Sequence, residues 1–288
     1  MNKADQYCAE KASRSGSSFY YSFLFLPTAQ RKAITALYAF CRVVDDCVDE
    51  GRDPAVAAQT LAWWQQEIDR VFEGKPEHPI GIALYAAHQR FNLQKQLFEQ
   101  ILEGMKMDLQ YQGYQSFDDL KLYCHCVASA TGLLSAQIFG FHDPKTLEYA
   151  KQLGIAFQLV NIIRDVGEDA RRGRIYIPTL ELEQFAVKEK DILSGHYSEP
   201  FEALMRFQAT RARQYYDEAL QALSPGDRYA QRTGLIMAAI YFRLLDEIEK
   251  SHFKVLHQKI HLTPLCKLWT AWKTARRIPR IARSTPKK

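Results

Sequence analysis

The chain lacks several features that would assign it quickly to a class of protein. Its six cysteines form no C-x-x-C pair, and Cys124-His125-Cys126 has no second pair at zinc-site spacing. We therefore interpret the cysteines as thiols in a reducing cytoplasm. Gly/Ser linkers, alternating strand patterns and a Gly-rich dinucleotide loop between a strand and a helix are also missing.

Long hydrophobic runs are scarce as well. The most apolar windows, residues 154–163 and 234–242, are too short to span a bilayer. The stretch Met1–Asp5 is polar and has no signal-peptide core. We predict a cytoplasmic protein.

Acidic residues are absent from residues 264–288, which hold eight lysines and arginines and so carry +8. Since the whole chain carries +5, the rest carries −3, and no nucleic-acid partner is predicted. Large apolar residues recur in this segment at helical spacing, at Leu265, Leu268, Trp269 and Trp272. This basic amphipathic tail is either a peripheral contact with anionic lipid at the inner face of the membrane or a helix packed on the body.

The sequence does contain helical periodicity along nearly its whole length. With 288 residues, 47% of them hydrophobic, it can bury a substantial core, and no break in composition divides it. Asp53-Pro54 and the capping-box pattern Ser116 to Asp119 predict helix starts. We predict one all-α domain over residues 1–288, with helices around a central cavity.

The functional prediction depends on a long helix expected between Asp143-Pro144 and Gly173. Within it, Asn161, Asp165 and Asp169 fall at i, i+4 and i+8. Each step of four residues turns the helix by about 400°, so the three side chains form one row. Like charges in such a row repel. The row therefore indicates either a solvated face or a bound divalent cation.

A second acidic row favours the cation. Asp45 and Asp49 stand at i, i+4 near the end of a helix predicted over residues 28–50, where the helix dipole disfavours acids. Arg42 and Arg164 accompany the two rows. Oxygen ligands without His or Cys indicate Mg²⁺, which often shares its coordination positions with substrate phosphates. Arginines beside such a site suit a diphosphate.

Two further stretches each allow two interpretations. Ser15-Gly16-Ser17-Ser18, followed by aromatic residues, is either a phosphate-holding loop or an ordinary turn into a helix. The three arginines Arg171, Arg172 and Arg174 either fold back as a lid over a diphosphate or are solvated. We favour the lid.

These motifs, together with the stretch Tyr123 to Ala128, resemble the squalene and phytoene synthase family over almost the whole chain. Within the family, residues 19–27, 165–176 and 262–269 are most similar to presqualene diphosphate synthases of bacterial hopanoid biosynthesis. The resemblance implies an isoprenoid synthase fold. It also implies Mg²⁺-dependent head-to-head condensation of two farnesyl diphosphates to presqualene diphosphate, with release of pyrophosphate. Downstream squalene or hopanoid enzymes would be partners.

The resemblance also implies residue roles. The Mg²⁺ ligands would be Asp45, Asp49, Asn161, Asp165 and Asp169. Diphosphate or substrate would contact Ser18, Phe19, Arg42, Gln158, Arg164 and Tyr241. Tyr123 would lie beside the reacting allylic groups. Ser129 stands where the family usually has glycine, so it would narrow or shift the channel if that glycine lets a prenyl tail approach.

Several alternatives stay open. A phytoene synthase would use geranylgeranyl diphosphate, a complete squalene synthase would need reduced nicotinamide, and a hydroxysqualene-forming relative would consume presqualene diphosphate with water. A helical subunit that binds prenyl diphosphates without catalysis belongs to a different class. The base that removes the proton during cyclopropane formation would be Tyr123 or the released pyrophosphate.

Overall fold

The structure, a computed structural model, describes residues 2–14, 23, 26–49 and 53–278. Within these ranges all regular structure is helical, which confirms the predicted all-α class. The helices are α1 (Lys3–Arg14), α2 (Thr28–Asp49), α3 (Pro54–Glu73), α4 (Pro79–Phe91), α5 (Lys95–Leu109), α6 (Phe117–Cys124), α7 (Ala130–Phe139), α8 (Lys145–Arg171), α9 (Thr179–Gln184), α10 (Glu189–Leu193), α11 (Glu199–Ala222), α12 (Arg232–Lys250) and α13 (Pro264–Arg277).

Local capping chemistry sets several helix ends where the sequence predicts them. The Asp53 carboxylate accepts a hydrogen bond from the Ala55 backbone N–H at 2.8 Å, so it caps α3. Ser116 and Asp119 form the predicted capping box at the start of α6. Gly173 follows α8 with a φ of +74°, a conformation that glycine adopts without strain.

The helical stretch that begins after the predicted cap at Ser116 contains a π turn, His125–Ser129, between α6 and α7. A π turn inserts an extra residue into the helix, so α6 and α7 present different faces to their neighbours. Among the described residues, Phe117–Phe139 is the one helical stretch long and apolar enough to cross a membrane by length and composition. Half of that window is buried inside the fold, as in an ordinary core helix.

Helix α8 is the central helix of the fold, and it packs against the π turn, α7 and α11. The π turn approaches α8 closely at Gly154, where an added Cβ would lie 2.6 Å from the Cα of Ser129. The buried hydroxyl of Ser129 donates to the backbone carbonyl of Lys151 at 2.8 Å. Small residues therefore hold the π turn directly against α8.

A buried carboxylate fixes the loop before α8. Asp227, in the 3₁₀ turn Pro225–Asp227, accepts hydrogen bonds from the backbone N–H groups of His142 and Asp143 and from the Thr146 hydroxyl. The turn precedes α12, which begins at Arg232. The start of α8 is therefore tied to the start of α12.

Candidate active site

A cavity of about 760 Å³ lies between α2, α5, α6, α7, α8 and α12. Along α2 its lining residues change from Ile34 and Leu37 to Arg42 and Asp45. Along α8 they change in the same way, from Leu153 and Phe157 near the middle of the helix to charged residues at its end. The cavity therefore combines an apolar interior with a charged region built from the C-terminal ends of two helices.

The α8 row lines this cavity as the spacing predicts. Asn161, Asp165 and Asp169 all contribute to the wall, and Gln158 lies one turn before them. The side-chain amide of Asn161 donates to the side-chain oxygen Oε1 of Gln158 at 3.4 Å. The helix thus presents two carboxylates and two amides to one space.

The α2 row is described in part. Asp45 and Arg42 line the cavity, and the Arg42 guanidinium bridges Asp45 at 3.3 Å and Asp46 at 2.6 Å. α2 ends at Asp49, whose side chain lies outside the described residues. Ser18 and Phe19 also lie outside them. Their predicted roles stay predictions.

Cationic side chains surround the α8 carboxylates. Arg164 donates to both oxygens of Asp165, at 2.8 and 2.5 Å. The Lys259 ammonium contacts Asp165 at 3.1 Å and Glu168 at 2.7 Å. Burial alone would raise the pKa of Asp165, but the hydrogen bond from Arg164 and the charges of Arg164 and Lys259 lower it. Asp165 is therefore held as a carboxylate.

The donor set suits a hard divalent cation that is shared with a ligand. The side-chain oxygen of Asn161 is buried and accepts no hydrogen bond within the described part of the chain. In that part, three or more His, Cys, Asp or Glu side chains nowhere converge closely enough to hold a metal ion by themselves. The oxygens of Asp45, Asn161, Asp165 and Asp169 would therefore need further ligands, and diphosphate oxygens are the kind that Mg²⁺ accepts.

An aromatic cluster with a buried carboxylate forms another part of the wall, and of its residues only Tyr123 is predicted from the sequence. The hydroxyls of Tyr123 and Tyr176 donate to the two oxygens of Asp108, at 2.8 and 2.7 Å. The two rings stack with centroids 5.3 Å apart, and all three residues line the cavity. Burial, and then the charge of Asp108, raises the pKa of Tyr123 well above its usual value, so its hydroxyl stays protonated.

Tyr241 also lines the cavity, and its contact with substrate stays a prediction. It reaches the wall from α12, and its ring packs on Phe157 of α8 with centroids 4.4 Å apart. Burial raises the pKa of its hydroxyl. Tyr241 thus supplies an aromatic face between the apolar and charged regions.

Two expectations concern the cavity wall. Ser129 is not among the residues that line the cavity, and its hydroxyl donates to the Lys151 carbonyl, so its expected effect on the channel stays a prediction. Of the three arginines expected as a lid, only Arg172 lines the cavity. Arg171 donates to the Leu256 carbonyl and Arg174 to the Asp108 carbonyl, both at 3.3 Å.

The chain is similar in sequence to known proteins. Residues 12–266 match the family described as squalene/phytoene synthase. The chain belongs to this family. It is 37% identical over 278 residues to a phytoene synthase of Arthrospira platensis, covering 90% of this chain and 89% of the relative. It is 36% identical over 283 residues to a 15-cis-phytoene synthase of Synechococcus elongatus, covering 93% and 91%.

Solved structures of this family have the same fold. A dehydrosqualene synthase in complex with a ligand superposes with a TM-score of 0.86 at 26% identity, covering 96% of each chain. The squalene synthase HpnC of Alicyclobacillus acidocaldarius superposes with a TM-score of 0.78 at 27% identity, covering 87% of this chain and 94% of that one. This squalene/phytoene synthase is therefore a prenyltransferase-type enzyme, in a family that binds prenyl diphosphates with a divalent metal.

Proposed function

We propose that the enzyme joins two molecules of one prenyl diphosphate head to head in a Mg²⁺-dependent reaction that releases pyrophosphate. The observation that carries the proposal is the composition of the cavity. Charged residues from the ends of α2 and α8 share it with an apolar and aromatic wall. A diphosphate head and a hydrocarbon tail each find matching chemistry there.

The charged region would bind the diphosphates. Bound Mg²⁺ neutralises charge on a diphosphate leaving group, and its ligands would be Asp45, Asp49, Asn161, Asp165 and Asp169. Arg42 and Arg164 would exchange some of their carboxylate contacts for diphosphate oxygens, since guanidinium groups bind both. Lys259, which contacts Asp165 and Glu168, extends this cationic rim.

The apolar wall would stabilise the allylic cation and keep water away from it. The carbon–oxygen bond of one substrate breaks, and its diphosphate leaves with the electron pair. The double bond of the second substrate attacks the resulting allylic cation, and loss of a proton closes a cyclopropane that keeps the second diphosphate. Tyr123, Tyr176 and Tyr241 would face this cation with electron-rich rings and exclude water.

The tail length has two candidates. The two relatives at 37% and 36% identity are named phytoene synthases, which supports geranylgeranyl diphosphate as the substrate and phytoene as the product. For that product, the cyclopropane would also lose its second diphosphate, with the electron pair of the C–O bond, and a further proton. The two superposed structures are named dehydrosqualene synthase and squalene synthase. With the presqualene-synthase-like stretches 19–27, 165–176 and 262–269, these names support farnesyl diphosphate and presqualene diphosphate as the second candidate.

The deciding experiment incubates the full chain with Mg²⁺ and either geranylgeranyl or farnesyl diphosphate, with and without reduced nicotinamide, and identifies products by mass spectrometry. Phytoene would support the first candidate, and presqualene diphosphate formed without reductant the second. Squalene formed only with reductant would identify a complete squalene synthase. Tight binding of either diphosphate without turnover would overturn the proposal in favour of a non-catalytic subunit.

Site variants complete the test. Asp165→Asn should abolish most turnover because it removes a carboxylate from the charged region. Glu148→Gln is the matched control, because Glu148 is an exposed acid of the same helix outside the cavity. Equal activity in both variants would argue against the assignment of this site.

A further inference from the structure

Helix α13 packs its small residues against the body of the protein and exposes its large apolar residues. It packs against α12 through small side chains, with Ala271 buried and Cys266 and Ala275 against the core. Its largest apolar residues point outward: Leu265, Leu268, Trp269 and Trp272 are 79%, 44%, 62% and 44% exposed. A helix that served only to cover the body would place these residues inside.

The exposed large hydrophobic residues of the described part of the chain are concentrated on α13. Of the ten large hydrophobic residues exposed in the described part of the chain, four lie on α13, and the other six are spread over five other helices. Trp269 and Trp272 stack with ring centroids 5.0 Å apart. Single exposed apolar residues are normal on a protein surface, but a contiguous aromatic patch indicates an interaction site.

The charges on α13 indicate which partner fits. The helix carries Lys267, Lys273, Arg276 and Arg277 and no acidic residue. The Arg276 guanidinium lies 4.8 Å from the Trp272 ring centroid, beside the apolar face. Tryptophan rings flanked by cationic side chains suit the boundary between lipid headgroups and acyl chains. The anionic headgroups would attract the cations, whereas a purely apolar protein groove would leave them without partners.

The position of α13 connects this face with the cavity. Lys259, His261, Leu262 and Lys267 all line the cavity, so the chain runs along its wall directly before and into α13. Leu265, the most exposed of the apolar residues, lies between Leu262 and Lys267 in this stretch. The outward apolar face therefore begins within a few residues of the cavity wall.

We propose that the outward face of α13 docks on an anionic lipid bilayer, with Trp269 and Trp272 at the headgroup–acyl boundary. Docking there brings the cavity next to the bilayer. If the proposed function holds, hydrocarbon tails could pass between the bilayer and the cavity over a short path through water. The docking itself depends only on the face and charges of α13.

The test measures co-sedimentation of the full chain with phosphatidylcholine vesicles and with vesicles of equal phosphatidylcholine and phosphatidylglycerol, without prenyl substrate. We expect binding to the anionic vesicles that weakens with added salt. Trp269→Ala with Trp272→Ala should reduce the affinity at least about ten-fold, since each exposed ring loses its burial in lipid. Leu180→Ala with Leu193→Ala, two similarly exposed leucines on α9 and α10, is the matched control and should bind normally.

A second pair of variants tests the charges. Lys273→Gln with Arg277→Gln should reduce the salt-sensitive part of binding, whereas Lys188→Gln with Lys190→Gln, also exposed, should not.

Thermal melts would verify that every variant is folded, which is expected because the substituted side chains are exposed. No binding of the wild-type chain to anionic vesicles, or equal binding by the tryptophan and leucine variants, would overturn the proposal. A dimer that requires Trp269 and Trp272, without vesicle binding, would assign the face to self-association. Because no substrate is present, these outcomes are independent of the proposed reaction.

Discussion

The hydroxyl of Tyr123 donates a 2.8 Å hydrogen bond to the buried carboxylate of Asp108, whose other oxygen accepts from Tyr176. One carboxylate on α5 therefore orients two phenols that line the cavity, one on α6 and one in the segment after α8. The arrangement offers a matched pair of substitutions, since each removes one donor from the same acceptor.

Tyr123→Phe and Tyr176→Phe should each lower the free energy of unfolding by about 1 kcal/mol, because each deletes one buried hydrogen bond. Both variants keep their aromatic rings, so their effects on catalysis should differ only if the Tyr123 hydroxyl takes part in the proton transfer. In that case we expect kcat to fall about 100-fold or more for Tyr123→Phe and to change little for Tyr176→Phe. Urea denaturation and steady-state kinetics check both. Equal losses of kcat would mean that the pair acts only as a structural unit.

Gly154→Ala should destabilise the fold by about 1–3 kcal/mol, because the added Cβ would press on the backbone of Ala128 and Ser129. Gly226→Ala is the control. Its Cβ would meet only the Ser224 hydroxyl at 3.9 Å, so its unfolding free energy should stay near that of the wild type. Urea denaturation of the two variants gives the comparison, and similar stabilities would show that α8 and the π turn can separate easily.

Glu67 is a buried acid that does not line the cavity, and its removal should lower the free energy of unfolding. Its carboxylate accepts from the backbone N–H groups of Glu77 and His78, at 3.0 and 2.9 Å, and from Arg70 at 2.8 Å. Glu67→Ala should lower the unfolding free energy by about 2–4 kcal/mol, because these donors lose their acceptor. Exposed Glu73→Ala, at the end of the same helix, should have little effect. Calorimetric melting temperatures would reveal the difference, and a similar shift for both would contradict the assigned role.

Asp227 should make the free energy of unfolding depend on pH in the acidic range. Burial alone would raise its pKa, but hydrogen bonds from Asp143, Thr146 and His142 lower it below the usual value. The stability it contributes is therefore full above the unfolded-state pKa of about 4 and is lost as the pH falls through the lower folded-state pKa. The stability difference between wild type and Asp227→Asn should shrink in that acidic range.

Urea denaturation between about pH 2 and pH 6, roughly two units either side of the unfolded-state pKa of about 4, measures this difference. Asp217→Asn, which replaces an exposed acid on α11, is the control and should follow the wild type. A constant gap between wild type and Asp227→Asn across the range would contradict the prediction.

Much of the fold follows from local sequence. Helical periodicity and the caps at Asp53 and Ser116 predicted elements that the structure contains. The spacing of Asn161, Asp165 and Asp169 predicted one row on one helix, and the row lines the cavity. These features depend on residues within a few turns of each other, so a local pattern can reveal them.

The features that were missed depend on distant contacts. Asp108 and Tyr176 are 68 residues apart, and no local pattern brings them together. A signal was present, since Asp108 continues the buried stripe of Phe98, Ile101 and Met105 on α5, where an acid requires a partner. Lys259 likewise reaches Asp165 only through the tertiary fold.

The π turn His125–Ser129 sets the direction in which Tyr123 enters the cavity wall. One surplus residue there rotates everything before it by about 100° relative to a regular helix. The Tyr123 hydroxyl can therefore donate to Asp108 while Thr131 and Ser135, on α7, still line the cavity. Deleting one residue from the π turn would rotate Tyr123 away from Asp108. The orientation of the Tyr123 side chain therefore depends on the extra backbone residue of the π turn.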